Sequence, residues 1–121
     1  DSWMDWSRTT LYDDIIGTCF VQLVRVPARE RAMAEVDAAA KRAADKLRIL
    51  NQQLNGRPYI VGEALTIADI AVGTLMYRYY KLPIIRPTLS NVDAWYGRLS
   101  KRPAYQQHVM VDFSAMKVPG A

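Results

Sequence analysis

The sequence predicts an all-α domain, a bundle of about five helices arranged around a buried, N-capped central helix. Three observations carry that expectation. Apolar residues recur at alternating spacings of four and three along two long stretches, the signature of one helix face. Between Ile67 and Tyr77 the only polar side chains are Asp69 and Thr74, so this segment is apolar around nearly its whole circumference and reads as buried. No strand pattern with turn residues occurs, and there are no internal repeats.

Length and composition set the frame for a single helical domain over residues 1–121. The chain is long enough for one core and too short for two. Half of its residues are hydrophobic and 23% are charged, the balance of a soluble globular domain. No run approaches the roughly 20 apolar residues that span a bilayer. The opening DSWMDWSRTT lacks the basic and apolar regions of a signal peptide. A single cysteine, Cys19, excludes an intrachain disulfide and fits a reducing compartment, so a cytoplasmic location is expected. The net charge of +4 is spread along the chain with acids interleaved, as in RERAMAEVD. No basic cluster with interleaved aromatics occurs, so neither nucleic acid nor membrane is an expected partner.

The elements follow in order. Residues 1–26 read as a first helix whose stripe is Tyr12, Ile16, Cys19, Leu23 and Val26, widened by Ile15, Phe20 and Val24. Gly17 in its middle suggests close packing or a bend. No stop signal precedes the helix, which is expected to begin upstream of residue 1. Pro27 ends it. A second helix, about residues 29–54, carries Val36, Ala40, Ala43, Leu47, Leu50 and Leu54 on one face, and Asn55-Gly56 supplies its stop. Residues 55–65 form a connector that Tyr59 and Ile60 tuck against the core.

The central helix, 66–80, starts with a capping box. Thr66 is placed to accept the Asp69 N–H, and the Asp69 carboxylate to accept the Thr66 N–H. Leu65 and Ile70 stand at the spacing of a hydrophobic staple. The box accounts for both polar residues as structural, and on that account Asp69→Ala costs about 0.5–2 kcal/mol. Leu82-Pro83 and Arg86-Pro87 punctuate an extended link. A helix from about Leu89 to Lys101 follows, with Val92, Trp95, Tyr96 and Leu99 on one face. Pro103 opens a short helix, 103–110. The tail, 111–121, has no periodicity and is expected to be irregular.

Chemistry-bearing residues are few. His108 is the only histidine and has no ligand-spaced partner, so it reads as a helix-end or surface residue. Cys19 lies on an apolar stripe and reads as a buried, inert thiol. There is no GxGxxG, no Walker loop and no carboxylate cluster. Tyr77, Tyr79 and Tyr80 are core or rim, with a hydroxyl or two available to a pocket. One face stands out: Trp3, Trp6, Thr9, Thr10 and Asp13 succeed one another at spacings that share part of a helix surface. It suits either the wall of a polar–apolar cleft or an aromatic anchor beside a solvated strip.

Several segments together resemble the C-terminal helical domain of cytosolic glutathione S-transferases, above all the bacterial ones. The most specific is GRPYIVGEALTIADIAVGTLMYRYY, with its box at Thr66 and Asp69, which is similar to the family's GRPYLxGxxxTxADI stretch. WMDW at 3–6, LVRVP at 23–27, RPTLSNVDAWYGRLSKRPAY at 86–105 and the following HVM extend the resemblance along essentially the whole chain. It implies a partner domain of the same protein, thioredoxin-like and absent from this sequence. That domain would hold the co-substrate glutathione and supply the Ser, Tyr or Cys that activates its thiol. The helical domain then walls the cleft for small hydrophobic electrophiles, holds no metal and contributes no catalytic residue of its own. By position, the resemblance places Trp6, Thr9, Thr10 and Asp13 on the cleft, followed by Tyr77, Tyr80 and Phe113. It also implies a homodimer formed through parts of 1–54. The alternative is a non-catalytic interaction module, since transferase-like helical domains also occur in translation-factor and synthetase assemblies. The WMDW and RPAYQQHVM segments favour the enzyme.

Overall fold

The computed structural model describes residues 2–121, and among them every regular element is helical. The long first helix, α1 (residues 2–25), opens as an α-helix at Ser2–Trp6. It runs on without a break through Ser7–Leu11 and Asp13–Arg25 in wide π-type turns. In such turns each N–H reaches five residues back, as the Tyr12 N–H does to the Ser7 carbonyl. The hydroxyls of Ser7, Thr9 and Thr10 donate to the carbonyls of Met4, Asp5 and Trp6, competing there with the ordinary amide donors. The winding has a consequence for burial. Leu11, Ile15, Cys19 and Leu23 form the inward row, at a constant spacing of four, with Phe20 and Val24 alongside.

That row corrects the expected stripe. Tyr12 is 44% exposed, Ile16 and Val26 are only half-buried, and Leu11 takes the inner position instead. A wide turn lengthens the repeat beyond 3.6 residues, so a pattern read at the α-helical period lands on the wrong side at its ends. Gly17 does not mark close packing either. It is exposed, and an added Cβ would meet only the Asp13 side chain, 3.9 Å away.

After Pro27 a single 3₁₀ turn, Ala28–Glu30, leads into α2, Met33–Gln53. Its expected face is the observed one: Val36, Ala40, Ala43, Leu47, Leu50 and Leu54 are all buried. Gly56, with φ of 72°, makes the left-handed turn that ends it. Asp14, 5% exposed, ties α1 to α2 by accepting from Arg42 Nε at 3.0 Å and Lys46 Nζ at 2.6 Å. Lys46 also donates to the Thr10 carbonyl.

The central helix α3, Ile67–Lys81, is in place with its capping box closed, and the Thr66 N–H donates to Asp69 Oδ2 at 2.8 Å. Asp69 does more than cap. It is fully buried, and its other oxygen accepts the Ile60 N–H and the Trp95 indole N–H, both at 2.9 Å. One carboxylate thus joins the connector, α3 and the helix α4, Ser90–Ser100. The box alone therefore does not account for Asp69. Nor is α3 buried all round: Ile67 and Ile70 are 60% and 51% exposed, and Thr74 is exposed. Leu65 packs against the core while Ile70 stands largely in the open. The opposite side of α3 is dense. The hydroxyl of Tyr105 donates to the Gly73 carbonyl at 2.7 Å, and a Cβ at Gly73 would lie 2.8 Å from Leu99. Tyr105 belongs to the short α5, Pro103–His108.

The start of α4 is capped from a distance. No side chain of its own caps it; instead Asn51 of α2 accepts the N–H groups of Asn91 and Val92 at 2.9 and 3.1 Å. Asn91 returns a bond to the Asn51 carbonyl. Asn51→Ala is expected to lower stability by about 1–2 kcal/mol, the range of an N-cap loss, and a denaturation midpoint unchanged from wild type would refute that role.

Candidate functional site

A cleft of about 400 Å³ opens beside α3, between its second half, the outer face of α1 and the chain that follows α5. Its walls are Tyr12 and Ile16 from α1, Thr74, Leu75 and Arg78 from α3, and residues of 108–116. The last wall is built by local turn chemistry. Asp112 accepts the Ser114 N–H at 3.1 Å and its hydroxyl at 2.6 Å, an Asx-type turn that bends the chain into the 3₁₀ turn Ser114–Met116. The bend sends Phe113 inward, edge-on to Phe20 at 5.2 Å and to Tyr77 at 6.2 Å between ring centroids.

The tail is irregular as expected, apart from that 3₁₀ turn, and it is strapped down onto the end of α1. The Val118 N–H donates to the Val24 carbonyl at 3.1 Å, Ala28 N–H to Gly120 at 2.7 Å, and Arg25 Nη1 to Met116 at 2.6 Å. Gly120 permits this with φ of 83°. A shallower groove of about 320 Å³ continues the cleft along α1 and α3, lined by Met4, Ser7, Arg8, Tyr12, Ala71, Thr74 and Leu75. The two depressions share Tyr12, Thr74 and Leu75.

The electrostatics of the cleft centre on Arg78. Its guanidinium lies 4.3 Å from the Phe20 ring centroid and 5.8 Å from that of Phe113. The Thr74 hydroxyl is spent on the Ile70 carbonyl. Asp112 is held below the usual carboxylate range by the side-chain and backbone donors of Ser114, so it stays ionised. The thiol of Cys19, behind this wall, is pushed up to about 11 by burial and by the Asp14 charge, and donates to the Val36 carbonyl. It is a protonated, unreactive thiol at neutral pH. Among the described residues no group of three or more His, Cys, Asp or Glu side chains is placed to hold a metal ion.

The structure distributes the sequence-derived candidates unevenly. Phe113 lines the cleft and Tyr77, buried, backs it. Trp6 leans on the main core with Trp3 edge-on at 5.2 Å. Thr9 and Thr10 turn their hydroxyls onto their own helix, and Asp13 is exposed. None of these four α1 residues, Trp6, Thr9, Thr10 or Asp13, is on the cleft wall. Tyr80 belongs to a separate tyrosine cluster: it stacks on Tyr96 at 4.3 Å and donates to Asp93. Burial, with that bond, raises its phenol well above the ordinary value. Sequence reasoning missed Tyr12, Ile16 and Arg78. The first two were assigned to the core stripe, and Arg78 was grouped with Tyr77, Tyr79 and Tyr80 as core or rim.

The structure is thus a helical bundle with a mainly apolar cleft flanking its central helix. The chain belongs to the glutathione S-transferase C-terminal domain family, which its residues 12–103 match. It is 30% identical over 114 residues to glutathione S-transferase GstB of Escherichia coli strain K12, covering 94% of this chain and 54% of that protein. It is similar to the glutathione-bound theta class glutathione S-transferase of Xanthomonas axonopodis pv. citri, with a TM-score of 0.87 and 37% identity. That likeness covers 93% of this chain and 54% of the other. Elongation factor 1-gamma of Danio rerio is 26% identical over 107 residues, covering 86% of this chain and 24% of the factor. The chain thus spans about half the length of the two transferases it matches.

Proposed function

We propose that this chain is the electrophile-binding half of a glutathione transferase. The observation that carries the reading is the cleft itself: an apolar floor from Ile16, Leu75 and Phe113 with a polar rim, in a domain of this family. In the reaction, glutathione thiolate attacks an electrophilic carbon of a small hydrophobic substrate. A C–S bond forms as the leaving group departs with its electron pair, or as the π-electrons of an unsaturated acceptor shift and are protonated. The cleft contributes position, holding the carbon close to the thiolate so that a bimolecular step behaves as an intramolecular one. Lowering the thiol pKa falls to a thioredoxin-like domain that binds glutathione, docked along the open pair Ile67 and Ile70. The exposure of those apolar residues supports that placement. Homodimerisation through α1 and α2 and a cytoplasmic location complete the proposal. No helix among the described residues is long and apolar enough to cross a membrane.

The test compares this chain with the same chain joined to a thioredoxin-like segment in glutathione conjugation of an aryl halide. Activity is expected only from the joined protein. Tyr12→Ala, an exposed change on the cleft wall, is expected to raise the electrophile KM about tenfold while leaving that of glutathione unchanged. A joined, folded protein without conjugating activity would instead favour a non-catalytic interaction module, the reading that likeness to elongation factor 1-gamma supports.

A further inference from the structure

We propose that the cleft selects electrophiles carrying an anionic group, a carboxylate or sulfonate on an apolar frame, and that Arg78 is the residue that pairs with it. This rests on the cleft being the electrophile site. The argument is one of unfinished hydrogen bonding. Arg31 and Arg86, likewise half-buried, each spend their N–H groups on several backbone carbonyls. Among the described residues no carboxylate lies within ion-pair reach of Arg78. Its sole hydrogen-bond neighbour there is the Met116 sulfur at 4.0 Å, a weak acceptor.

The guanidinium is nevertheless held in place. Its guanidinium carbon lies over the Phe20 ring, 4.3 Å from the centroid, and a guanidinium resting on an aromatic face keeps its edge N–H groups available to a planar acceptor. The carboxylate that does line the cleft, Asp112, has both oxygens engaged by Ser114 and lies beyond ion-pair reach of Arg78, so the two form no direct pair. An arginine oriented by aromatic rings at an apolar wall, with its fork unfilled, is built for a two-oxygen anion. An apolar surround also makes such a pair stronger than it would be in bulk water.

Two fluorescent probes of the same frame test this on the chain itself: 8-anilino-1-naphthalenesulfonate, which is anionic, and N-phenyl-1-naphthylamine, which is neutral. Wild type is expected to bind the sulfonate more tightly, and Arg78→Gln to weaken the sulfonate about tenfold with the neutral probe within about twofold. Raising salt on wild type provides a second reading that needs no variant: only the sulfonate affinity is expected to fall. Equal loss of both probes in Arg78→Gln, or a sulfonate affinity indifferent to salt, would overturn the proposal. Binding of the neutral probe without preference for the sulfonate removes the anion selectivity and leaves the electrophile cleft standing. Failure of both probes to bind removes both.

Discussion

Asp69→Ala is expected to remove a large share of this domain's stability. Removing the carboxylate takes away the α3 cap, about 0.5–2 kcal/mol. It also strips the acceptor from the Ile60 N–H and the Trp95 indole, both reaching a residue with no solvent exposure. A buried donor left without a partner costs about 1–3 kcal/mol. The sum is of the same order as the roughly 5–15 kcal/mol that holds a small domain folded. Two companions apportion it. Trp95→Phe keeps a ring in the core and removes one donor, and should cost only about 1–3 kcal/mol. Asp69→Asn keeps one carbonyl oxygen but turns an amide donor toward N–H groups, and should fall between. Chemical denaturation followed by circular dichroism measures all three. A loss for Asp69→Ala confined to the cap range would show that the bonds to Ile60 and Trp95 add nothing.

The second large effect is at Asp14. Asp14→Ala is expected to cost about 2 kcal/mol, because it removes an acceptor of charge-assisted bonds from a 5% exposed position. The figure stays below that for a fully buried pair, since Arg42 is half exposed and can turn to water. A double-mutant cycle with Lys46→Met isolates the direct contact, with a coupling of about 1 kcal/mol expected. Additive single effects would mean that the Lys46 contact adds nothing and that Arg42 alone ties Asp14 to α2.

These two carboxylates show where sequence reading reaches and where it stops. The box partner of Asp69 is three residues away, and local spacing is enough to find it. Its remaining partners, Ile60 and Trp95, lie 9 and 26 residues away, and no local pattern pairs them. The face of α2 was legible because Met33–Gln53 is a regular α-helix whose period is the one assumed. The face of α1 was legible only in part: Ile15, Cys19, Phe20, Leu23 and Val24 are buried as expected, but its wide turns shift the period and carry Tyr12 out of the core and onto the cleft. The cleft's third wall escaped for another reason. An aperiodic tail gives no signal of where it will lie, and its anchors to Val24, Arg25 and Ala28 are about 90 residues distant.

The cap that Asn51 lends to α4 bears on how the molecule assembles. An 11-residue helix is too short to persist alone in water, and this one has its first turn completed only by a side chain of α2. Its stability is therefore tied to α2, whose Asn51 completes its first turn. The two helices gain stability together, and a change at Asn51 reaches α4 without touching it in sequence.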